Sequence, residues 1–180
     1  MFTDRLLGKE KKPTSTSFES DEDHGIVRRS SDGSRVMVVG SVAWVSLEHE
    51  LASTFVTGAA VILQRMGYSY GRYVGKVALA NGRKPEEVLD VIVRHSKEAG
   101  WGRLSLNSGD LRIGEARLVM KDCFFCLHWK DSVTPVCHML AGFVGGVTDE
   151  MLGRVHRVLE QRCIAKGDNV CEISIDRLQA

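Results

Sequence analysis

The sequence predicts an α/β (α+β) fold in which helices pack on an antiparallel sheet. Two observations lead to this fold class. Between residues 47 and 98 the apolar residues recur at the spacing of one helical face, whereas after Gly100 they alternate with polar residues as they do in β-strands. A glycine-bearing segment at residues 136–147 then predicts one more helix, with a small-residue face that lets a neighbouring element approach closely.

Three helices are expected in the first half of the domain. Residues 47–66 carry apolar side chains on one face, and Gly67 is placed to cap the end of this helix. Helical spacing resumes over residues 68–81 and stops at Gly82. The third helix begins at Pro85, because proline at the first turn followed by two glutamates is typical of a helix N-terminus.

The second half of the chain is expected to supply the sheet. A turn at residues 107–110 and another at residues 167–169 contain glycine next to Asp or Asn, which is typical of hairpin connections. The strands joined by these turns are expected at residues 101–106, 114–129, 154–162 and 170–175. Residues 35–44 predict a strand or a buried segment that leads into the first helix.

The chain of 180 residues fits one domain with a tail. Residues 1–34 are rich in polar and charged residues without sustained apolar periodicity, so they are expected to form a flexible N-terminal tail. Residues 35–180 are expected to form a single domain. The formal net charge of +1 gives no global field that favours direct binding to nucleic acid. No apolar stretch is long enough to span a membrane, and no signal sequence is visible, so a cytoplasmic protein is expected.

The C-terminal part of the chain contains a candidate metal site. Cys137, Cys163, Cys171 and Glu160 supply four anionic donors, which is the number and type that a closed tetrahedral zinc site requires. In a regular strand Glu160 and Cys163 would face opposite sides, so the strand must bulge or end between them. His138 is an alternative fourth ligand. Simple burial of the free cysteines is the other explanation that the sequence leaves open.

The remaining cysteines, Cys123 and Cys126, have the spacing of many zinc knuckles and dithiol sites. Both lie within the strand expected at residues 114–129, where they would point to opposite faces. They are therefore expected to pack without sharing an ion or a disulfide. The sequence shows no catalytic residues, because its six histidines are scattered and no triad or phosphate-binding loop is present. Whether the protein is an enzyme stays open, and the sequence favours that it is not.

Several of these motifs together resemble the 4-vinyl reductase domain family. The resemblance covers roughly residues 36–175, and the spacing of its C-terminal motifs is its most specific part. The motifs are Met-Gly-Tyr-Ser-Tyr-Gly-Arg at residues 66–72, Trp129-Lys-Asp-Ser, Pro135-Val-Cys137, Glu160-x-x-Cys163, Gly167-Asp168 and Cys171-Glu-Ile.

This resemblance implies a fold shared with haem nitric-oxide-binding sensors and TRAPP subunits, usually dimeric, that binds small hydrophobic molecules. In the phenol-responsive activators of this family three cysteines and one glutamate hold zinc, and these ligands fall on Cys137, Glu160, Cys163 and Cys171. The tryptophan of their aromatic pocket falls on Trp129. The remaining pocket residues are expected on helices 54–66 and 68–80, as Phe55, Tyr70 and Tyr73.

The resulting hypothesis is a zinc-stabilised sensor or regulatory domain for a small hydrophobic ligand, which acts as a homodimer or through a regulatory protein partner. One alternative is a cysteine-based redox switch, in which Cys163 and Cys171 release zinc and form a disulfide. Another is an accessory protein in tetrapyrrole vinyl reduction, as the family name suggests. A TRAPP-like interaction module without a ligand is a further alternative.

Overall fold

The computed structural model of the chain describes residues 17–30, 33–55 and 58–178. The chain divides into two compact units, residues 1–39 and 40–180. The first unit contains a three-stranded antiparallel sheet of β1 (Phe18–Asp21), β2 (Ile26–Arg29) and β3 (Arg35–Val36). The tail expected at residues 1–34 therefore includes two described strands, while residues 1–16 and 31–32 lie outside the described residues.

The second unit begins with three helices, α1 (Ser41–Phe55), α2 (Gly58–Ala80) and α3 (Val88–Glu98). The predicted start of α3 is confirmed, since Pro85 opens a short 3₁₀ turn that runs directly into it. The predicted end of α3 near Gly100 is also confirmed, because Gly100 has a φ of 73°. The predicted end of α2 near Gly82 is also confirmed, because this residue has a φ of 81°.

The sheet of the second unit has the strand order β4-β5-β7-β6 and is antiparallel throughout. Its strands are β4 (Arg103–Asp110), β5 (Glu115–Lys121), β6 (His156–Arg162) and β7 (Cys171–Arg177). Helix α4 (His138–Leu152) connects β5 to β6 and is buried along most of its length. The four described helices and the antiparallel sheets confirm the predicted fold class.

Helices α2 and α4 pack backbone against backbone through glycine. A Cβ atom built on Gly67 would lie 2.0 Å from the carbonyl oxygen of Met139, and one built on Gly142 would lie 2.0 Å from that of Gln64. The expected small-residue face of α4 is thus confirmed. The predicted helix end at Gly67 is wrong, because α2 continues through this residue. Gly67 serves close approach to α4 rather than chain reversal.

The core of the second unit lies between α4, α3 and the sheet. It consists of fully buried apolar side chains from every layer, the largest being Phe125, Phe143, Ile92, Leu111, Leu118, Met120, Leu140, Ile173 and Ile175. Within the described part of the chain, none of the helices combines the length and the apolar character needed to cross a bilayer.

Candidate metal centre and ligand-binding site

Three secondary-structure elements bring the predicted metal ligands together. Cys137 immediately precedes α4, Glu160 lies near the end of β6, Cys163 follows that strand, and Cys171 begins β7. The three cysteines are fully buried. The three Sγ atoms and one carboxylate oxygen of Glu160 all lie within 4.8 Å of one another, so the four side chains could hold a metal ion.

A β-bulge explains how the side chains of Glu160 and Cys163 face the same site. The register between β6 and β7 shifts between Glu160 and Arg162, and β6 ends at Arg162. The extra residue turns the chain so that both side chains face the same site. The backbone N–H of Cys163 then donates to the Asp168 carboxylate at 2.8 Å, which fixes the turn into β7. The predicted bulge is confirmed.

Glu160 is the donor whose surroundings most clearly fit a cation. Its Oε2 atom accepts a hydrogen bond from the backbone N–H of Cys137 at 2.8 Å. Its Oε1 atom is buried and has no hydrogen-bond partner among the described residues. Burial and the neighbouring Cys163 raise the pKa of Glu160 to about 9. A buried carboxylate with a free oxygen requires a positive partner in order to ionise at neutral pH.

The spacing of the sulfur atoms fits tetrahedral coordination. The Sγ atom of Cys137 lies 3.6 Å from that of Cys171 and 4.0 Å from that of Cys163. Ligands about 2.3 Å from a zinc ion at tetrahedral angles are separated by about 3.8 Å. Hydrogen bonding with the neighbouring thiols raises the pKa of Cys137. Hydrogen bonds from the Cys126 and Cys137 thiols lower the pKa of Cys163 to about 6. Hydrogen bonding from the Cys123 thiol likewise lowers the pKa of Cys171.

The alternative fourth ligand, His138, occupies the first position of α4. Burial lowers its pKa and keeps the imidazole neutral. Neither group of potential metal donors found among the described residues includes it. The group that contains Cys137, Cys163 and Cys171 includes the Glu160 carboxylate.

Cys123 and Cys126 lie elsewhere than the sequence predicts. Strand β5 ends at Lys121, Asp122 has a φ of 54°, and the following 3₁₀ turn covers Phe124–Cys126. The expectation that the two thiols occupy opposite faces of a long strand is therefore wrong, since both are buried in the metal-donor cluster. The Sγ atom of Cys123 lies 3.5 Å from that of Cys137, and the Sγ atom of Cys126 lies 3.5 Å from that of Cys171.

Trp129 lies next to a buried carboxylate on α1. Its indole N–H donates to Oε2 of Glu48 at 3.1 Å, and its ring stacks on the imidazole of His49 with centroids 4.4 Å apart. Glu48 is only 2% exposed, and its Oε1 atom has no partner among the described residues. Burial raises the pKa of Glu48 to about 7, against the opposing influence of the Trp129 and Trp44 indole N–H groups.

The other three predicted pocket residues are not gathered around Trp129. Tyr70 contacts a cluster of aromatic rings, whereas Tyr73 and Phe55 are 64% and 51% exposed. The rings around Tyr70 belong to His95, Trp101 and Phe143. A chain of ring contacts leads from Trp101 through Phe125 to Trp44 on α1, one turn before Glu48. The aromatic residues thus connect the tyrosine cluster to the Glu48 site through the core.

A groove of about 210 Å³ opens between α2, α4 and β6. None of the four predicted binding residues lines it. Beside the groove, the Asp149 carboxylate accepts hydrogen bonds from Tyr68 Oη at 2.9 Å and from the backbone N–H of His156 at 2.9 Å, and it pairs with His156 Nδ1 at 2.8 Å. This network ties α2, α4 and β6 to one another.

A family model matches the part of the chain that contains the candidate metal donors. Residues 116–177, which contain all five cysteines, Glu160 and Trp129, match the model of the 4-vinyl reductase domain family. The predicted resemblance to this family is confirmed.

Two proteins of Methanocaldococcus jannaschii extend the likeness beyond the matched residues. An uncharacterized protein of Methanocaldococcus jannaschii is 27% identical over 108 residues, which cover 60% of this chain. The match spans 61% of the length of that relative. A solved vinyl-4-reductase family protein from the same organism is similar with a TM-score of 0.59 and 14% identity, over 80% of this chain and 85% of that one.

A sensor domain shares the fold more extensively. The structure of the phenol-responsive sensory domain of the transcription activator PoxR with phenol is similar with a TM-score of 0.73 and 19% identity, and the likeness covers 88% of this chain and 84% of that one. The expected likeness to TRAPP and H-NOX proteins is confirmed at the level of the fold. At these identities the likenesses show a shared fold.

Sequence reasoning did not predict the buried carboxylate of Glu48. Trp44 and Glu48 lie four positions apart, and both are on the inward face of α1. The available signal was a glutamate at an apolar position of the helical pattern, which also fits an ordinary solvent-exposed residue. The partner that explains it, Trp129, follows much later in the chain.

Proposed function

We propose that this protein is a zinc-stabilised sensor domain of the 4-vinyl reductase family that binds a small hydrophobic molecule. Three findings support the proposal. Residues 116–177 match the family, the fold resembles that of a phenol-responsive sensory domain, and four buried donors converge at the ends of β6 and β7. The observation that carries the zinc assignment is the buried Oε1 atom of Glu160, which has no hydrogen-bond partner among the described residues.

Zinc would be held by Cys137, Glu160, Cys163 and Cys171, and when bound it would supply a crosslink between α4 and the β6–β7 hairpin. A closed set of four protein donors leaves no position for substrate, which favours a structural role over a catalytic one. The site also requires reduced thiols, in keeping with a cytoplasmic location. Metal binding would then contribute directly to the free energy of unfolding.

The ligand is assigned to the region between α1 and Trp129. Oε1 of Glu48 is buried without a hydrogen-bond partner among the described residues, and the Trp44 indole N–H nearby favours the carboxylate without making a hydrogen bond to it. Leaving such groups unpaired costs about 1–3 kcal/mol each, so a ligand that satisfies them gains affinity. The predicted ligand therefore carries a hydroxyl or similar group on an aromatic or otherwise apolar body, which packs against the surrounding rings.

A second copy of the chain is proposed to cover α2. Met66, Tyr70, Tyr73 and Val77 follow the spacing of a coiled-coil seam on this helix, and all four are at least partly exposed. This arrangement gives Tyr70 and Tyr73 a role in dimerisation. Replacing Tyr73 by Glu would place a charge in the seam, so we expect a monomer by light scattering. A dimer that persists in this variant would exclude the seam as the interface.

Native mass spectrometry of protein purified without chelator tests the proposal as a whole, because one spectrum reports zinc, co-purified ligand and oligomeric state. Binding of phenol and of toluene is then compared by calorimetry. We expect phenol to bind more tightly than toluene to the wild-type protein. The Glu48→Gln variant should narrow this difference. Absence of zinc would overturn the structural role, and equal affinity for the two molecules would overturn the assignment of Glu48.

The cysteine cluster favours one second candidate, a redox switch. Cys126 and Cys171 have Sγ atoms only 3.5 Å apart, so this pair competes with the predicted pair of Cys163 and Cys171. Two thiols and one peroxide molecule would give one disulfide and two water molecules, and loss of Cys171 as a ligand would release the metal. Counting free thiols and bound zinc after mild peroxide treatment tests this candidate. Full retention of both would exclude it.

A further inference from the structure

The five cysteines and Glu160 form two sets of four metal donors that overlap. One set consists of Cys137, Glu160, Cys163 and Cys171, and the other consists of Cys123, Cys126, Cys137 and Cys171. Within each set all ligand atoms lie within 4.8 Å of one another. Cys137 and Cys171 therefore belong to both sets. Six donors can give each of two metal ions four ligands if two of the donors are shared by both ions.

We propose that the protein holds two divalent metal ions, bridged by the thiolates of Cys137 and Cys171. The first ion is the zinc of the proposed function, on which this inference rests, and its remaining ligands are Glu160 and Cys163. The second ion is bound in addition by Cys123 and Cys126. The cluster is thus a binuclear thiolate site with five sulfur ligands and one carboxylate.

The sulfur separations fit this arrangement. The two bridging Sγ atoms lie 3.6 Å apart. Each of them has one further sulfur of the second set at 3.5 Å, Cys123 beside Cys137 and Cys126 beside Cys171. These separations are close to the edge of about 3.8 Å expected for a tetrahedron of sulfur ligands around zinc. The same side chains lie too far apart to be explained as disulfides, whose sulfur atoms are separated by about 2.05 Å.

The local backbone supports metal binding by Cys123 and Cys126. A Cys-x-x-Cys pair on a tight turn points both thiols to one side, as in zinc knuckles, and here the 3₁₀ turn at Phe124–Cys126 has this effect. The backbone N–H of Ile164 lies 3.5 Å from the Sγ atom of Cys171 and donates to it, which favours a negatively charged bridging sulfur. Five buried cysteines in one cluster exceed the requirement of a single tetrahedral ion.

Charge balance permits a second ion. With Cys123 and Cys126 counted as neutral thiols, a single divalent ion with three thiolates and one carboxylate carries a formal charge of −2. Binding of the second ion displaces one proton from each of these thiols. Two divalent ions with five thiolates and one carboxylate again carry −2. The second ion thus adds no net charge to a buried site, while it gains two thiolate ligands.

The test begins with the zinc content of the full chain, purified under reducing conditions without chelator and measured by native mass spectrometry and elemental analysis. We expect two zinc ions per chain in the wild-type protein and one in the Cys123→Ser/Cys126→Ser variant. One ion in both proteins would overturn the second site and leave the proposed function intact. No ion in either would overturn both proposals, and two ions in the variant would place the second ion elsewhere.

Reconstitution with ¹¹³Cd²⁺ tests the bridge itself and does not depend on how well the variants fold. Two metal ions that share thiolates should give two ¹¹³Cd resonances with scalar coupling between them in the wild-type protein. Two resonances without coupling would exclude bridging by Cys137 and Cys171. Circular dichroism shows whether the Cys123→Ser/Cys126→Ser variant folds. If it does not fold, the single variant Cys126→Ser is used for the zinc measurement instead.

Discussion

The Glu160→Gln substitution should make the metal-free protein more stable at neutral pH. In the absence of metal, burial and Cys163 raise the pKa of Glu160 from 4.5 to about 9. Between these two values the folded protein retains a proton that the unfolded chain releases. The free energy of unfolding therefore falls as the pH rises through this window. Glutamine does not titrate, and its carbonyl oxygen can still accept the hydrogen bond from the Cys137 backbone N–H.

The size of the effect follows from the difference between the pH of the solution and the ordinary pKa of the carboxyl group. At pH 7 the solution is about 2.5 pH units above the ordinary pKa of the carboxyl, and one unit is equivalent to about 1.4 kcal/mol, so the expected gain in stability is about 3 kcal/mol. Near pH 4.5 the two proteins should be about equally stable. With zinc the order should reverse, because only the carboxylate supplies the fourth anionic donor.

Urea unfolding in reducing buffer with chelator, at several pH values between about 4.5 and 8.5, measures this effect. Cys163, whose pKa is about 6, titrates in the same range, so the relevant quantity is the difference in the free energy of unfolding between variant and wild type at each pH. Glu115→Gln is the matched control, since Glu115 is exposed on β5 of the same sheet and should change little. A difference that is independent of pH would refute the reasoning, as would a metal-free variant that is less stable than wild type at pH 7.

Three further predictions concern packing and the metal. Gly142→Ala places a Cβ 2.0 Å from a backbone carbonyl of α2, so we expect a loss of at least about 1–3 kcal/mol in thermal or urea unfolding. Gly145→Ala on the same helix meets only a side chain, at 3.3 Å, and should cost less; equal losses would contradict this account. Cys171→Ser should abolish zinc binding and expose the β6–β7 hairpin to hydrogen exchange, whereas unchanged protection without metal would exclude a structural zinc. Zinc affinity should fall as the pH drops from about 8 to 5, because protons compete with the ion for Cys163 and for Cys137 and Glu160, whose pKa values are raised, and a flat profile over this range would contradict thiolate ligation.

Several structural elements could be predicted from the sequence because the residues that indicate them lie within a few positions of the element itself. Pro85 and the two glutamates after it predict the start of a helix, and the turn around Gly167 predicts the hairpin that brings Cys163 near Cys171. The parity of side chains along a strand was sufficient to require a bulge after Glu160.

Other features have local signals that fit two structures equally well. Glycine both ends helices and permits close helix packing, so the sequence around Gly67 could not show that α2 continues and meets α4. The alternating pattern of β5 likewise extends past Lys121, although the chain turns there. In both cases the deciding contact is with an element that lies far along the chain.

The sequence by itself determined the fold class, and it indicated Cys137, Cys163 and Cys171 as candidate donors with Glu160 or His138 as the fourth, because local patterns and residue chemistry carry both signals. Only the tertiary structure decided that Cys123 and Cys126 join them. The 3₁₀ turn after β5 and the pairing of β5 with β7 place thiols from distant parts of the sequence within 3.5 Å of each other. Such proximity depends on strand register and on the path of the chain between elements, which residue spacing does not encode.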